Sequence, residues 1–281
     1  MTFHHGSPDR CRHPGHRRGD PGLRGSQVQT ELDSALAELG LDIPGLDPAA
    51  RIQPGRLGDA TVWVKTPEVV GRRLLWNRKG NPQRAFERER VALAALQDRG
   101  LPVVGLIAHS PRVMVLRDCG PPVTDLLSDP AQSDATLAEV LHASGAALGV
   151  LHRAGVSHGR AAPNDFCWQD GRITLIDFER RLGARGLAAQ LRRDVVRLVY
   201  KLDQVLLALQ MPKDRRRTLC EAILAGYRSA GPERPWQDAV AWCRRHRVWL
   251  PLIRAPRWPR AWERRICAMA EAFEVIGGAT G

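Results

Sequence analysis

The sequence predicts an α+β protein in which a small, β-rich N-terminal part precedes a mainly helical C-terminal part. Three observations carry this. Short runs rich in β-branched residues lie at 61–64, 103–109 and 112–116. Leucine-periodic stretches fill most of the chain after residue 133. The turn dipeptide Asp170-Gly171 sits between Phe166-Cys167-Trp168 and Ile173-Thr174-Leu175-Ile176, which reads as one small hairpin.

Composition bounds the partners. At 281 residues the chain can bury a sizeable core, enough for one bilobal domain or two small ones. Its apolar fraction of 43% is ordinary, but a net charge of +12 and a pI near 10.4 favour anionic partners. These include nucleotide phosphates, a phosphorylated glycolipid, an anionic membrane face and nucleic acid. Arg greatly outnumbers Lys, which suits bidentate phosphate contacts and is equally what a GC-rich genome produces. The cysteines at 11, 119, 167, 220, 243 and 267 form no C-x-x-C pair. That argues against a zinc ribbon or disulfide framework and suits a reducing cytosol. No apolar run is long enough to cross a bilayer, and the N-terminus has no apolar signal core.

Taken in order, residues 1–29 are rich in His, Arg, Gly and Pro without apolar period and read as a disordered basic tail. Its His4, His5, Cys11, His13 and His16 match no standard metal spacing. Residues 31–40 form an amphipathic helix on Leu32, Leu36 and Leu39, stopped by Gly40, and 43–54 read as loop. A strand at 61–64 ends in Lys65, and Gly55 and Gly58 before it would let a loop close over phosphates. A basic loop with Trp76 follows. Pro82 opens a helix through Arg99, with Phe86, Leu93 and Leu96 inward and Glu87 and Glu89 in its charged run. Strands at 103–109 and 112–116 stop at Asp118-Cys119-Gly120.

Residues 133–154 form a helix capped by Ser133 or Asp134 and ended by Gly155, on which His142 and His152 read as partly exposed. The strongest helix, 187–210, carries a buried stripe from Leu191 through Leu198, Leu202, Val205 and Leu206 to Leu209. Asp194 near its start reads either as a helix-dipole acid or as a structural anchor. Another helix spans 214–230. Residues 235–265 hold Trp236, Trp242, Trp249, Trp258 and Trp262 among many Arg. This composition reads as packed helices, with an interfacial membrane patch or a base-stacking surface as alternatives.

The chemistry concentrates at the hairpin. Asp177 follows its second strand directly, and an acid at the end of a buried strand is costly unless a cation meets it. His158 and Asn164-Asp165 lie just before the first strand. The hairpin thus brings two acidic positions to one end, a donor set suited to a hard cation such as Mg2+.

The stretch 155–181, GVSHGRAAPNDFCWQDGRITLIDFERR, resembles the catalytic core of the protein-kinase-like superfamily. There an H-x-D-x-x-x-x-N loop precedes a hairpin ending in D-F-G. Within it the H-G-R…D…D-F-E variant looks most like the bacterial lipopolysaccharide-core kinases, which phosphorylate Kdo or heptose sugars. The resemblance implies a bilobal protein-kinase-like fold: a small β-rich N-lobe over 30–117 with one αC-type helix, and a helical C-lobe over 118–281. It implies ATP and Mg2+ as cofactors. Lys65 would hold the phosphates, Glu89 (with Glu87 as runner-up) would orient Lys65, and backbone groups of Leu116, Arg117 and Asp118 would meet the adenine. His158 would brace the loop, Asp194 would hold its backbone, and Asp165 and Asp177 would bind the metal. Counting forward from His158 gives Asp165 without a deletion, whereas counting back from Asp177 admits Asn164. Arg160 stands where the catalytic-base Asp is expected, so the resemblance implies either an unusual phosphotransferase or a pseudokinase that binds without turnover. The implied acceptor is a lipopolysaccharide-core sugar or another anionic envelope glycan. This would be met by a cytoplasmic protein, peripherally, at the inner membrane.

Overall fold

The computed structural model describes residues 21–67, 81–178, 186–247 and 260–278. It is a mixed α+β chain with a small antiparallel sheet and a mostly helical remainder. Strands β1 (Ile52–Leu57), β2 (Ala60–Lys65), β3 (Leu106–His109) and β4 (Met114–Arg117) pair in the order β1-β2-β4-β3. Strand alternation decides what each face carries. Val62 and Val64 of β2, with Val113 and Val115, meet Leu32, Ala35 and Leu36 of α1 (Pro21–Ala37) in one apolar cluster. Trp63 and Lys65 therefore face the other way, as do Met114 and Leu116, which share a second cluster with Phe86, Leu93 and Leu96 of α2 (Pro82–Asp98).

That second cluster continues without a break into the helical part. Its elements are α3 (Val123–Ser128), α4 (Asp134–Arg153), α5 (Leu187–Ala208), α6 (Lys213–Ala230), α7 (Glu233–Arg247) and α8 (Arg260–Gly278). The hairpin of β5 (Phe166–Gln169) and β6 (Arg172–Leu175) turns on Asp170 and Gly171, both at positive φ (50° and 77°). Positive φ at both central residues marks the hairpin turn whose twist matches the strands. Helices α4 and α6 touch backbone to backbone. A Cβ on Gly145 would stand 1.8 Å from the Ile223 carbonyl oxygen, and one on Gly226 would stand 1.8 Å from that of His142.

Several expectations need correction. Helix α1 starts at Pro21, so residues 21–29 belong to a helix that propagates beyond its apolar stripe. Residues 1–20 lie outside the described residues. The expected loop at 43–54 gives way to β1 at Ile52. Pro54 obscured that strand, but β1 is an edge strand, where a missing N–H costs little. The front of the expected strand at 103–109 leaves the sheet: Val103 bridges Leu175 in parallel and the Val104 amide donates to the Leu175 carbonyl at 3.0 Å. This short splice ties the sheet part to the hairpin. Leu209 lies past the end of α5 and is 37% exposed, outside the buried stripe. Trp236 is buried and Trp242 packs on Phe273, so these two serve the core. Trp262 lies within α8, whereas Trp249, Trp258, Trp76 with its basic loop, Glu179, Arg180 and Arg181 lie outside the described residues.

Candidate functional site

The site begins at the end of β2. Lys65 points away from α1 and is 6% exposed, and its Nζ lies 2.7 and 2.6 Å from Oε1 and Oε2 of Glu89. Glu89 sits on the inward face of α2, 1% exposed. Burial pushes its carboxyl above the usual range, and the Lys65 ammonium pulls it back only in part. Glu87 is two residues away, hence roughly 200° around the helix, and is bound by Arg90 instead, Nε to Oε2 at 2.8 Å.

The expected phosphate-covering glycines do other work. Gly55 lies within β1 opposite Val62, and a Cβ there would stand 2.6 Å from Ile43 Cγ2. It makes room for the α1-side cluster, on the sheet face opposite Lys65. Gly58 lies in the tight β1–β2 turn.

The loop after α4 is held from beneath. Asp194 is 1% exposed and well inside α5, so the reading of a first-turn dipole acid fails. Its Oδ2 accepts from Ser157 Oγ at 2.7 Å and from the Gly159 amide at 3.1 Å. It also lies 3.4 Å from His152 Nε2. Burial raises its carboxyl, but these donors outweigh burial and leave it below the usual range. His152, expected to be partly exposed, is 2% exposed because it joins this network, with Nδ1 2.9 Å from the Tyr227 hydroxyl. His142 is exposed. His158 packs beside Phe166 and Phe178, and its Nε2 lies 2.9 Å from the Ile176 carbonyl oxygen. Burial lowers its pKa, so the ring is neutral and Nε2 is the donor.

Asp165 ends a single 3-10 turn, Pro163–Asp165, and is 1% exposed. Its Oδ1 accepts from Asn164 Nδ2 at 2.7 Å, while its Oδ2 is buried without a hydrogen-bond partner. Burial, reinforced by the charge of Asp177, raises its pKa to about 7. Asn164 is exposed, so of the two candidates Asp165 is the acid directed inward. Asp177 stands just past β6 at φ 67° and is ion-paired with the Arg160 guanidinium. Arg197 of α5 donates to the Arg160 carbonyl at 3.3 Å, and its charge reaches Asp165.

Lys65 and Glu89 on one side and Asp165 and Asp177 on the other meet at one cleft of about 640 Å³ between the sheet and the hairpin. Its described lining includes Lys65, Glu89, Leu116, Arg117, Asp118, Asn164, Asp165 and Asp177. His158 and Arg160 are absent from that lining: His158 lies behind the hairpin and Arg160 reaches the cleft through Asp177. The three residues expected to meet a ring are differently placed. Leu116 pairs with Trp63 and Leu106 inside the sheet. The Arg117 amide is used on the Gly105 carbonyl at 2.7 Å, so that N–H does not serve a ligand. Asp118 accepts from Trp63 Nε1 at 2.9 Å. Cys119 and Cys167 also line the cleft. Sequence reasoning left both unassigned because they are far apart in the chain. It left His152 and Tyr227 out of the site for the same reason.

No family model matches the chain. It is similar to a protein of Haemophilus influenzae described as an uncharacterized protein, at 26% identity over 227 residues, which is 80% of this chain and 89% of that one.

Proposed function

We propose that the chain is a nucleotide-binding protein of the protein-kinase-like superfamily. In this reading it is an ATP- and Mg2+-dependent phosphotransferase acting on a lipopolysaccharide-core sugar or another envelope glycan. One observation carries the reading: a buried Lys65–Glu89 pair on the sheet side shares a cleft with Asp165 and Asp177 on the hairpin side. A lysine fixed by a carboxylate suits phosphate oxygens. Two carboxylates facing it suit a hard cation, which takes one or two protein carboxylates and completes its shell with water and phosphate.

The donor set fits Mg2+. The buried Asp165 Oδ2 has no hydrogen-bond partner, a donor position that a divalent cation would fill, and Asp177 adds a second anionic oxygen donor. Among the described residues no cluster of three or more His, Cys, Asp or Glu has ligating geometry, so phosphates and water would complete the shell. When bound, the ion would neutralise phosphate charge. The bilobal arrangement, with the sheet as N-lobe and the helices as C-lobe, belongs to the same proposal. Among the described residues no helix is long and apolar enough to cross a membrane. In this reading the protein works in the cytoplasm and meets its anionic acceptor peripherally at the inner membrane.

A second reading is a pseudokinase that binds nucleotide without turnover. Arg160 favours it, since it occupies the expected base position and pairs with Asp177. A third, action beside RNA, has only the +12 charge behind it.

The test is thermal stabilisation of the purified chain by ATP with Mg2+. The expected result is a shift lost in Lys65→Ala and in Asp177→Asn. No shift at millimolar ATP and Mg2+ would count against both nucleotide readings. Phosphate transfer to lipid-A-core glycans, absent in Lys65→Ala, separates the enzyme from the pseudokinase.

A further inference from the structure

We propose that Cys119 and Cys167 form a thiol–disulfide modification site in the floor of the cleft, closed by small disulfides such as oxidised glutathione and reopened by thiols. The proposal rests on the cleft alone and stands whether or not the cleft takes a nucleotide.

The backbone brings the two residues together. Segment 120–122 lies along β5: the Trp168 amide donates to the Pro121 carbonyl at 3.0 Å, and Pro122 bridges Cys167. Gly120 adopts φ 79°, and a Cβ there would stand 2.3 Å from the Trp168 carbonyl oxygen. Only glycine allows this close, reversed path. The reversal returns Cys119 towards β5, where the Cys167 thiol faces its sulfur. Both thiols are free and both line the cleft. Cys119 is half-buried and Cys167 fully buried, so a reagent entering the cleft meets Cys119 first.

The two thiols are unequal. The Cys167 S–H directed at Cys119 holds the Cys119 thiol below the usual range, against the opposing effects of burial and Asp118. Cys119, the more exposed of the two, is therefore the attacking thiol, and the buried Cys167 beneath it is the resolving thiol. In the first step Cys119 Sγ bonds to one sulfur of the small disulfide, whose S–S bond breaks and releases one thiol. Cys167 Sγ then displaces the second, giving the Cys119–Cys167 bond. The protein's two thiols lose two electrons and two protons, and the reagent gains both as two free thiols.

The test is incubation of the full chain with oxidised glutathione, followed by intact-mass measurement and non-reducing peptide mapping. The expected product yields one cross-linked peptide pair containing Cys119 and Cys167, two hydrogen atoms lighter than the same two peptides reduced, which dithiothreitol reverses. Cys220 and Cys243, buried and with thiols pushed up, stay reduced in the same sample. Cys167→Ser should stop at a stable glutathione adduct on Cys119, whereas Cys119→Ser should leave Cys167 unmodified. Wild-type protein that keeps both thiols free, or that carries a lasting glutathione adduct without a bridge, overturns the proposal.

Discussion

Arg160 donates to Asp177 Oδ2, so the acid expected to face a metal already has a cation beside it. Both side chains are reached by solvent, and such pairs contribute about 0–1 kcal/mol. A divalent ion can therefore displace the arginine. Arg160→Ala is expected to tighten Mg2+ binding in the presence of ATP, on the order of fivefold for a loss of about 1 kcal/mol of competition. Mg2+ titration of the ATP-induced thermal shift measures this. Weaker binding in the variant would mean that the guanidinium serves a phosphate instead.

Lys65 and Glu89 should behave as a unit. Lys65→Met leaves Glu89 buried and uncompensated, with an expected loss of about 3–5 kcal/mol in stability. Replacing both partners, Lys65→Met with Glu89→Leu, should restore most of that stability, because well-packed apolar side chains often match a buried ion pair. Urea denaturation of both variants and the wild type provides the comparison. A double variant as unstable as the single one would refute the account.

Asp165 predicts an inverted pH dependence. In the folded protein its carboxyl is pushed up to about 7, from an ordinary aspartate value of about 3.9. Between these values the folded state holds a proton that the unfolded state has released, so this acid's contribution falls as pH rises from about 4 to about 7. That elevation corresponds to about 4 kcal/mol as an upper bound. Asp165→Asn should raise stability at pH 8 and leave it nearly unchanged at pH 4. Saturating Mg2+ with ATP should flatten the wild-type profile, since a bound cation favours the carboxylate. Denaturation midpoints across pH give the result, and a wild-type midpoint that climbs over this range, with Asp165→Asn no more stable at pH 8, would reject the assignment.

Asp194 is expected to be costly to remove. Asp194→Ala strips an acceptor from Ser157 and from the Gly159 amide together, for an expected loss of about 3 kcal/mol. Tyr227→Phe removes one hydroxyl from the far end of the network and should cost about 1 kcal/mol. Chemical denaturation separates the two. A loss below about 0.5 kcal/mol for Asp194→Ala would mean that other groups satisfy the loop.

Much of the local structure could be read from side-chain spacing. Ser133 accepts from the Thr136 amide as an N-cap, Asp170-Gly171 turns the hairpin, and Pro82 opens α2. The choice of Glu89 over Glu87 followed from order along the chain, and burial on α2 agrees with it. Tertiary contacts were harder to read. His152 lies on a helix whose polar residues look solvated until Tyr227 and Asp194 converge on it from other elements. Gly55 resembled a phosphate-loop glycine because sequence cannot show which face of β1 is crowded. The thiol pair was invisible for a related reason: its contact is created by the path of Gly120 over β5.

The glycine contacts between α4 and α6 set a mechanical limit on this arrangement. With carbonyl oxygens where any Cβ would fall, neither helix can slide or rotate on a cushion of side chains. Tyr227 follows Gly226 directly, so the hydroxyl that reaches His152 is registered by the same contact. The helix pair thus acts as a fixed anvil. Displacement there, as from Gly226→Ala, would travel through Tyr227, His152 and Asp194 to the Gly159 backbone without any change in the cleft's own residues.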